Sequence, residues 1–280
     1  MKYITTFLNT ISISLLIFYQ GQSLSAQAIT AAKQSLTATL DLYYNNEYRK
    51  DKQGNVSRWH YTWEETDYGG YSDWAACFHK AGVLTDTLSV APTAALLKHT
   101  DIYIIADPDT EKETAQPHFM NDKEAAVIYN WVKKGGVLVI MQNDSANAEH
   151  KNFNRLTERF GIHFNEDSHN RVQGKQYEQG AFLLPPDHEI FKGIQKVYIK
   201  EIASQQLTPP ARAVYEKDGH VFMSVSKVGK GTVFAVGDPW FYNEYTDGKR
   251  LSSDYENYAA AQALVYWLVA QTRHPSAKKI

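Results

Sequence analysis

The stretch DIYIIADPDTE, residues 101–111, decides the fold class of this chain. Its first part, Asp101 to Ala106, is an apolar run of strand length, and the chain then turns polar at Asp107. Similar apolar runs alternate with helical patterns along the chain, which is typical of a parallel sheet covered by helices. The sequence therefore predicts an α/β fold with a mostly parallel sheet flanked by helices, with further strands at Ala38–Tyr44, Gly136–Met141 and Thr232–Val236.

The clearest helical pattern covers Asn121 to Lys134. Asn121 and Glu124 form a capping box at its start, and Gly135 ends it. Phe182 to Val228 differs, because its short extended pieces are separated by proline and Asp-Gly turns, and this predicts a β-rich C-terminal portion. Further helices are predicted at Tyr71–Lys80, Ala148–Phe160 and Tyr255–Gln271.

The N-terminus has the pattern of a secretory signal peptide. Lys2 precedes an apolar run from Ile11 to Tyr19, and small residues follow in Ser25–Ala28. The run is far shorter than the roughly 20 residues that a membrane-spanning helix needs. We therefore expect a signal peptide at residues 1–28, one domain at residues 29–280, no membrane span, and a periplasmic or secreted location.

Composition excludes several function classes. The chain has 29 Lys and Arg against 31 Asp and Glu and no basic stripe, which disfavours nucleic-acid binding. Its single cysteine, Cys77, excludes an intrachain disulfide and a cysteine-built zinc site. The 18 Tyr and 6 Trp often stand beside polar residues, an arrangement found in sugar-binding surfaces as well as in ordinary cores.

Polar clusters follow three of the predicted strands. They cover residues 107–111, 142–147 and 237–245. Because ligands bind at the carboxyl ends of strands in an open parallel sheet, we expect Asp107, Asn143 and Tyr242 to line a common cleft. Asp107 and Asp109 could bind a divalent cation there, but Asp-Pro-Asp-Thr is equally a turn in which both aspartates cap backbone N–H groups. We expect neither a metal nor a cofactor.

The segment from Trp59 to Glu65 alternates aromatic and polar residues. In an extended chain, Trp59 and Trp63 would share one side, and His60 and Glu64 the other. Two interpretations remain open: an aromatic face packed on the core, or a sugar platform whose opposite face offers a base and an acid. His60 is the group in it that titrates near neutral pH.

Nucleophilic catalysis is disfavoured at the position after the third strand. Asn143-Asp144 stands where amidotransferase folds carry their nucleophile, and Ser145 lacks the G-x-S-x-G setting. Cys77 lies inside a predicted helix. His150, in the first turn of the next predicted helix, could instead face the same cleft as a base.

Two polar clusters in the second half of the chain remain. The residues His163, Glu166, Asp167, His169 and Arg171 fit no standard zinc spacing, so we predict a solvated loop. Arg171 stays a candidate because a guanidinium pairs bidentately with a carboxylate. The later cluster is either an aromatic loop that caps the sheet or a ligand site; its candidates are Trp240, Tyr242, Asn243, Glu244, Tyr245, Lys249 and Arg250.

Four strings of the chain resemble a known domain. They are residues 60–64, 107–113, 160–167 and 237–248, and the resemblance extends from about Thr39 to Gln271. They are similar to the domain attached to bacterial unsaturated rhamnogalacturonyl hydrolases. The resemblance implies a class I glutamine-amidotransferase-like fold without the nucleophile, working in pectin or ulvan breakdown. A free-standing form is similar to oligosaccharide dehydratases, which create the unsaturated uronic acid that those hydrolases consume.

The resemblance and the residue chemistry together predict a dehydratase for a uronic acid at the non-reducing end of an oligosaccharide. The alternative is a non-catalytic carbohydrate-binding or accessory module, and a homo-oligomer is possible. Loss of the C5 proton and the C4 hydroxyl needs a base, a group that stabilises enolate-like charge, and an acid. We assign the catalytic roles to His60, His150 and Tyr242. The predicted substrate-binding residues are Trp63, Glu64, Asn143, Arg171, Trp240, Asn243, Lys249 and Arg250.

Overall fold

A computed structural model describes residues 35–272. The predicted signal peptide, residues 1–28, lies outside the described residues. Within residues 35–272, no helix has both the length and the apolar character needed to cross a membrane.

The described chain is built on one nine-stranded mixed sheet, which confirms the predicted α/β class. Its strand order is β4-β1-β5-β6-β13-β12-β10-β7, and β11 pairs with β12. The strands are β1 (Thr37–Asp41), β4 (Leu84–Leu88), β5 (Ile102–Ala106), β6 (Val137–Met141), β7 (Ile162–Phe164), β10 (Gln205–Leu207), β11 (Ala211–Lys217), β12 (His220–Val228) and β13 (Gly231–Val236). Two small antiparallel pairs stand apart, β2 (Tyr48–Lys50) with β3 (Val56–Arg58) and β8 (Ala181–Leu183) with β9 (Lys196–Tyr198).

The sheet has a parallel part and an antiparallel part. Strands β4, β1, β5, β6 and β13 are parallel neighbours, whereas β12, β10, β7 and β11 continue the sheet with antiparallel pairing. The β-rich C-terminal portion that the proline and glycine turns predict is therefore present, and most of it extends the main sheet.

Helices cover both faces of the sheet. They are α1 (Ser72–Lys80), α2 (Asp122–Lys134), α3 (Asn154–Thr157), α4 (Asn243–Thr246) and α5 (Asn257–Gln271), and short 3₁₀ helices occupy Leu96–His99, Glu158–Phe160 and Tyr177–Gly180. Side chains of β5 alternate between two apolar clusters: Ile104 packs in the cluster with α1 and α5, and Ile105 packs in the cluster with α2 and α3. Burial on both faces explains why the parallel strands are apolar throughout.

Helix α2 begins as the sequence predicts. Asn121 Oδ1 accepts the Glu124 N–H at 3.0 Å, and Gly135 follows the last turn with φ of 129°. The reciprocal half of the capping box does not form, because Glu124 Oε2 accepts the Tyr44 hydroxyl at 2.8 Å. The helix start is thereby attached to the segment that follows β1.

Two segments differ from their predictions. The helix expected at residues 148–160 is reduced to α3 and a 3₁₀ turn, because the Glu149 carboxylate accepts the backbone N–H groups of Asn152 and Phe153 and holds the preceding residues in turns. The extended conformation expected for residues 59–65 is also wrong. His60 and Tyr61 have positive φ (67° and 55°), so the alternation of faces does not exist.

Candidate active site

A cleft of about 310 Å³ opens at the carboxyl ends of the parallel strands. Asp107 follows β5, Asn143 follows β6, and Tyr242 follows β13, so the predicted common cleft is confirmed. The loop after β3 forms another wall, and the segment after β9 contributes an ion pair. The remaining lining residues are Trp59, His60, Tyr61, Tyr68, Gly69, Glu113, Asn147, Lys200, Glu201, Asp238 and Glu244.

Asp107 is held in place by its backbone. It has a φ of 47°, its N–H donates to Met141 O at 2.8 Å, and its carbonyl accepts Asn45 Nδ2 at 3.0 Å. The carboxyl is buried, and its Oδ1 has no hydrogen-bond partner among residues 35–272. A buried carboxyl oxygen without a partner is costly, which suggests that a ligand satisfies it.

Burial changes the charge of the cleft. Burial, followed by the negative charges of Glu113 and Glu47, raises the pKa of Asp107 well above its usual value. Burial also raises the pKa of Asp109 to about 8 and that of Asp238 well above its usual range. Burial therefore favours the protonated form of these carboxyls, which can donate hydrogen bonds, although the lining is rich in acidic residues.

His60 is fixed by stacking and by one carboxylate. Its ring lies between those of Trp59 and Tyr61, with centroid distances of 3.8 and 4.3 Å. Its Nδ1 lies 3.0 Å from Oε1 of the buried Glu47. Gly69 permits this packing, because a Cβ at that position would lie 2.6 Å from His60 Cδ2. A carboxylate that orients an imidazole is the usual arrangement around a histidine base.

Tyr242, in the segment after β13, provides a hydroxyl to the cleft. Its ring lies 6.0 Å from that of Tyr61, centroid to centroid, in an edge-on orientation. Burial raises the pKa of Tyr242 well above its usual value, so the hydroxyl stays protonated and can donate. Asp238, four residues earlier, is buried, and its Oδ1 has no partner among the described residues.

Asn143 offers an amide to the same cleft. Its Oδ1 accepts the Asp144 N–H at 2.9 Å, and a hydrogen bond from its side chain acts on the Asp107 carboxyl. Asp144 organises the loop by accepting Ala146 N–H and Asn147 Nδ2. The position directly after β6 thus holds an amide and no nucleophile. Cys77 is buried in α1 and does not line the cleft.

Two of the predicted substrate-binding indoles, those of Trp63 and Trp240, are not available to a ligand. Trp63 is buried among Tyr71, Trp74 and Phe78, and its Nε1 donates to Asp86 O at 3.0 Å. Trp240 is fully buried. Both rings belong to the apolar core. The aromatic surfaces of the cleft therefore come from other residues: Trp59, Tyr61, Tyr68 and Tyr242.

Asn243 has a structural role in place of the predicted contact with a hydroxyl. Its Nδ2 donates to Glu65 O, Asp67 O and Ser72 Oγ at 2.9 to 3.0 Å, and its Oδ1 accepts the Asp73 N–H at 3.0 Å. The amide is fully used, so it joins the strand-β13 exit to the start of α1 and to the loop that carries Tyr68.

Several predicted charged residues lie outside the cleft lining. His150 is buried with Nδ1 at 3.0 Å from Ala148 O, and it does not line the cleft, so it is not placed to act as the base there. Lys249 pairs with Asp247, outside the lining. Arg250 pairs with Glu244 and stacks over Tyr68, two residues that do line the cleft. Glu64 and Arg171 are exposed.

The sequence reasoning missed Glu113, Lys200 and Glu201 of the cleft lining. It also missed Glu47, which contacts His60 from behind the lining. Glu47 follows β1, a parallel strand, so the rule that located the other strand exits would have found it. The Lys200–Glu201 pair, 3.1 Å apart, follows the short β9 and carries no such signal. Lys200 is the lysine of the cleft lining.

Two groups of side chains in the described part of the chain could hold a metal ion. Glu47, His60 and Asp107 have ligand atoms within 4.8 Å of one another, as do Asp167, His169 and His220. The first group lies at the cleft and would suit a divalent cation with oxygen and nitrogen ligands.

No protein-family model and no curated protein matches this chain. The resemblance to the domain of rhamnogalacturonyl hydrolases therefore stays a prediction. Several solved structures share its fold. The mmIFT52 N-terminal domain is 17% identical with a TM-score of 0.61, and the match covers 85% of this chain and 99% of that one.

Two other solved structures are similar to this chain at comparably low sequence identity. The cytoplasmic protein STM1381 from Salmonella typhimurium LT2 is 16% identical with a TM-score of 0.54, covering 85% of this chain and 99% of its own. A β-galactosidase from Bacillus circulans sp. alkalophilus is 15% identical with a TM-score of 0.50, covering 84% of this chain but 31% of the longer enzyme. At such identities the likeness shows the fold alone.

Proposed function

We propose that this protein is a dehydratase that removes water from a uronic acid at the non-reducing end of an ulvan- or pectin-derived oligosaccharide. The product would be the unsaturated uronic acid on which unsaturated glucuronyl and rhamnogalacturonyl hydrolases act. The observation that carries the proposal is the Glu47–His60 pair beside the buried carboxyl of Asp107, whose Oδ1 has no hydrogen-bond partner among residues 35–272, in one cleft. An oriented base next to a buried hydrogen-bond donor suits proton abstraction alpha to a carboxylate.

His60 removes the C5 proton in this mechanism. Glu47, 3.0 Å from Nδ1, fixes the ring and stabilises the imidazolium that forms. Stacking on Trp59 and Tyr61 limits rotation of the imidazole. The base is therefore oriented before the substrate binds.

The substrate carboxylate gains enolate-like charge as the proton leaves. Burial raises the pKa of Asp107 and so favours its protonated form, and a protonated carboxyl donates a hydrogen bond to such charge. The amide of Asn143 lies beside it, and Lys200 offers a positive charge at the cleft wall. In this mechanism these groups bind the substrate carboxylate, a role for which Arg171, Lys249 and Arg250 were the alternative candidates from the sequence.

Tyr242 completes the elimination. Its protonated hydroxyl gives a proton to the C4 oxygen, the C4–O bond breaks, and water leaves as the C4–C5 double bond forms. His60 then loses the C5 proton to solvent and Tyr242 regains one, so one water is lost per turnover.

The size of the cleft favours a terminal sugar. Its volume of about 310 Å³ lies at the lower end of the range of roughly 300 to 1,000 Å³ for small-molecule sites. Such a volume suits one sugar ring with the rest of the oligosaccharide outside.

Mass spectrometry of saturated uronic-acid oligosaccharides incubated with the protein tests the proposal. A dehydratase yields a product lighter by one water with the chain length unchanged, whereas a hydrolase shortens the chain. Binding without any new mass would support the alternative of a carbohydrate-binding module and contradict the proposal. Parallel reactions with and without EDTA show whether the group formed by Glu47, His60 and Asp107 works with a divalent cation.

A further inference from the structure

A second cluster of metal-binding side chains lies away from the cleft lining, in the polar segment whose spacing fits no zinc pattern. Asp167 and His169 follow β7, and His220 begins β12 after the turn at Asp218-Gly219. Folding brings His220 to the other two, although 51 residues separate it from His169. The third ligand is therefore invisible to any search for a local motif.

The three side chains are close enough to share one metal ion. His169 Nε2 lies 3.0 Å from Asp167 Oδ2, and the rings of His169 and His220 lie 4.3 Å apart at 48°. All three ligand atoms lie within 4.8 Å of one another. Neighbouring ligand atoms around a tetrahedral zinc ion are about 3.3 Å apart, so small side-chain rotations suffice.

Groups around the cluster already orient two of the ligands. Asp167 Oδ1 accepts the Ser204 N–H at 2.8 Å, and its Oδ2 accepts the Ser204 hydroxyl. The backbone of His169 is paired in both directions with Ile202 at 2.9 and 3.1 Å. Hydrogen bonds of this kind orient ligands and strengthen metal sites.

We propose that Asp167, His169 and His220 bind one zinc ion, with water in the fourth position. Two imidazoles and one carboxylate match the ligands that zinc prefers, whereas calcium and magnesium prefer six or more oxygen ligands. The ion would join the loop after β7 to the end of the β11–β12 hairpin. Ile202 and Ser204, which pair with two of the ligands, closely follow Lys200 and Glu201 in the chain. A bound zinc ion would therefore also hold in place the wall of the cleft that Lys200 and Glu201 form.

Calorimetric titration of the untagged, EDTA-treated protein with zinc chloride tests this inference. We expect a saturable site whose affinity falls more than about tenfold in His169→Ala and in His220→Ala and is unchanged in His60→Ala, which removes a ligand of the other group. His163→Ala is the matched control, because His163 is an exposed histidine of β7 that also pairs with a carboxylate, that of Glu158. It should bind zinc as the unmodified protein does.

Thermal unfolding of the metal-free proteins shows that the variants are folded. Zinc should then raise the melting temperature of the unmodified protein and of His163→Ala, but not that of His220→Ala. The absence of saturable zinc binding would overturn the inference, as would equal affinity in His220→Ala. Because the readout is metal binding alone, it is independent of the proposed dehydratase activity.

Discussion

Nδ1 of His60 lies 3.0 Å from Oε1 of Glu47, and both residues lie in irregular segments between strands of the sheet. His60 has a positive φ, and its ring is stacked between two aromatic rings. This arrangement constrains one imidazole at the cleft, and the proposed chemistry depends on it.

Replacement of His60 by alanine should abolish turnover and leave binding largely intact. Loss of a general base typically costs about 10² to 10⁴ in rate without weakening ground-state contacts. Initial rates and calorimetric affinities for the oligosaccharide would be measured, with His79→Ala as the control because His79 is an exposed histidine near the end of α1. Full activity in His60→Ala would remove His60 from the mechanism.

Asp107→Asn should keep much more activity than Asp107→Ala. An asparagine retains a hydrogen-bond donor where the neutral carboxyl stands, and asparagine tolerates the φ of 47° better than alanine does. The kcat of each variant would be compared after thermal unfolding has shown similar folding. Equal losses in both variants would mean that the charged carboxylate is needed, as a base or as a metal ligand.

Asn243→Ala should destabilise the fold. Its side chain makes three donor contacts and one acceptor contact to Glu65, Asp67, Ser72 and Asp73, and unsatisfied buried backbone groups cost about 1 to 3 kcal/mol each. We expect a loss of roughly 2 to 4 kcal/mol in the free energy of unfolding, measured with urea. Asn55→Ala, at an exposed turn, should lose about 0.5 kcal/mol or less. Similar losses in the two variants would contradict the structural role of Asn243.

Asp41→Asn should change how stability depends on pH. Burial raises the pKa of Asp41 to about 6, despite hydrogen bonds from Tyr103, Tyr44 and Tyr43. Between the ordinary pKa near 3.8 and about 6, the unfolded chain has released this proton while the folded chain keeps it, so stability falls as pH rises. The free energy of unfolding of Asp41→Asn minus that of the unmodified protein should therefore increase by about 3 kcal/mol between pH 3.5 and 7.

Denaturant unfolding at both pH values measures this difference. A constant difference would show that the Asp41 carboxyl titrates at its ordinary pKa in the folded protein.

The sequence was sufficient for the parts of the fold that depend on local pattern. The strand at 102–106 is buried on both faces, and for that reason its sequence is apolar throughout. This apolar run predicted the strand and placed Asp107 directly after its end. The same reasoning placed Asn143 and Tyr242 at one cleft. Parallel strands share one edge, so position along the chain determines position at the site.

Other features depend on contacts between distant segments. The prediction that aromatic and polar side chains alternate between two faces along residues 59–65 is wrong because the chain folds back there. The Tyr61 N–H donates to Gly69 O at 2.7 Å. The burial of Trp63 and Trp240 could not be predicted from the sequence, since the burial of an indole depends on the residues that pack against it. Glu47 became recognisable as a partner of His60 only through the pairing of β2 with β3, which brings the two segments together.

The appearance of ultraviolet absorbance from a conjugated C4–C5 double bond tests the central claim most directly. Saturated uronic-acid oligosaccharides would be mixed with the unmodified protein and with His60→Ala under identical conditions. We expect absorbance to rise with the unmodified protein and to rise at least about 10²-fold more slowly with His60→Ala. No rise with the unmodified protein, on oligosaccharides that it binds, would contradict the assignment as a dehydratase.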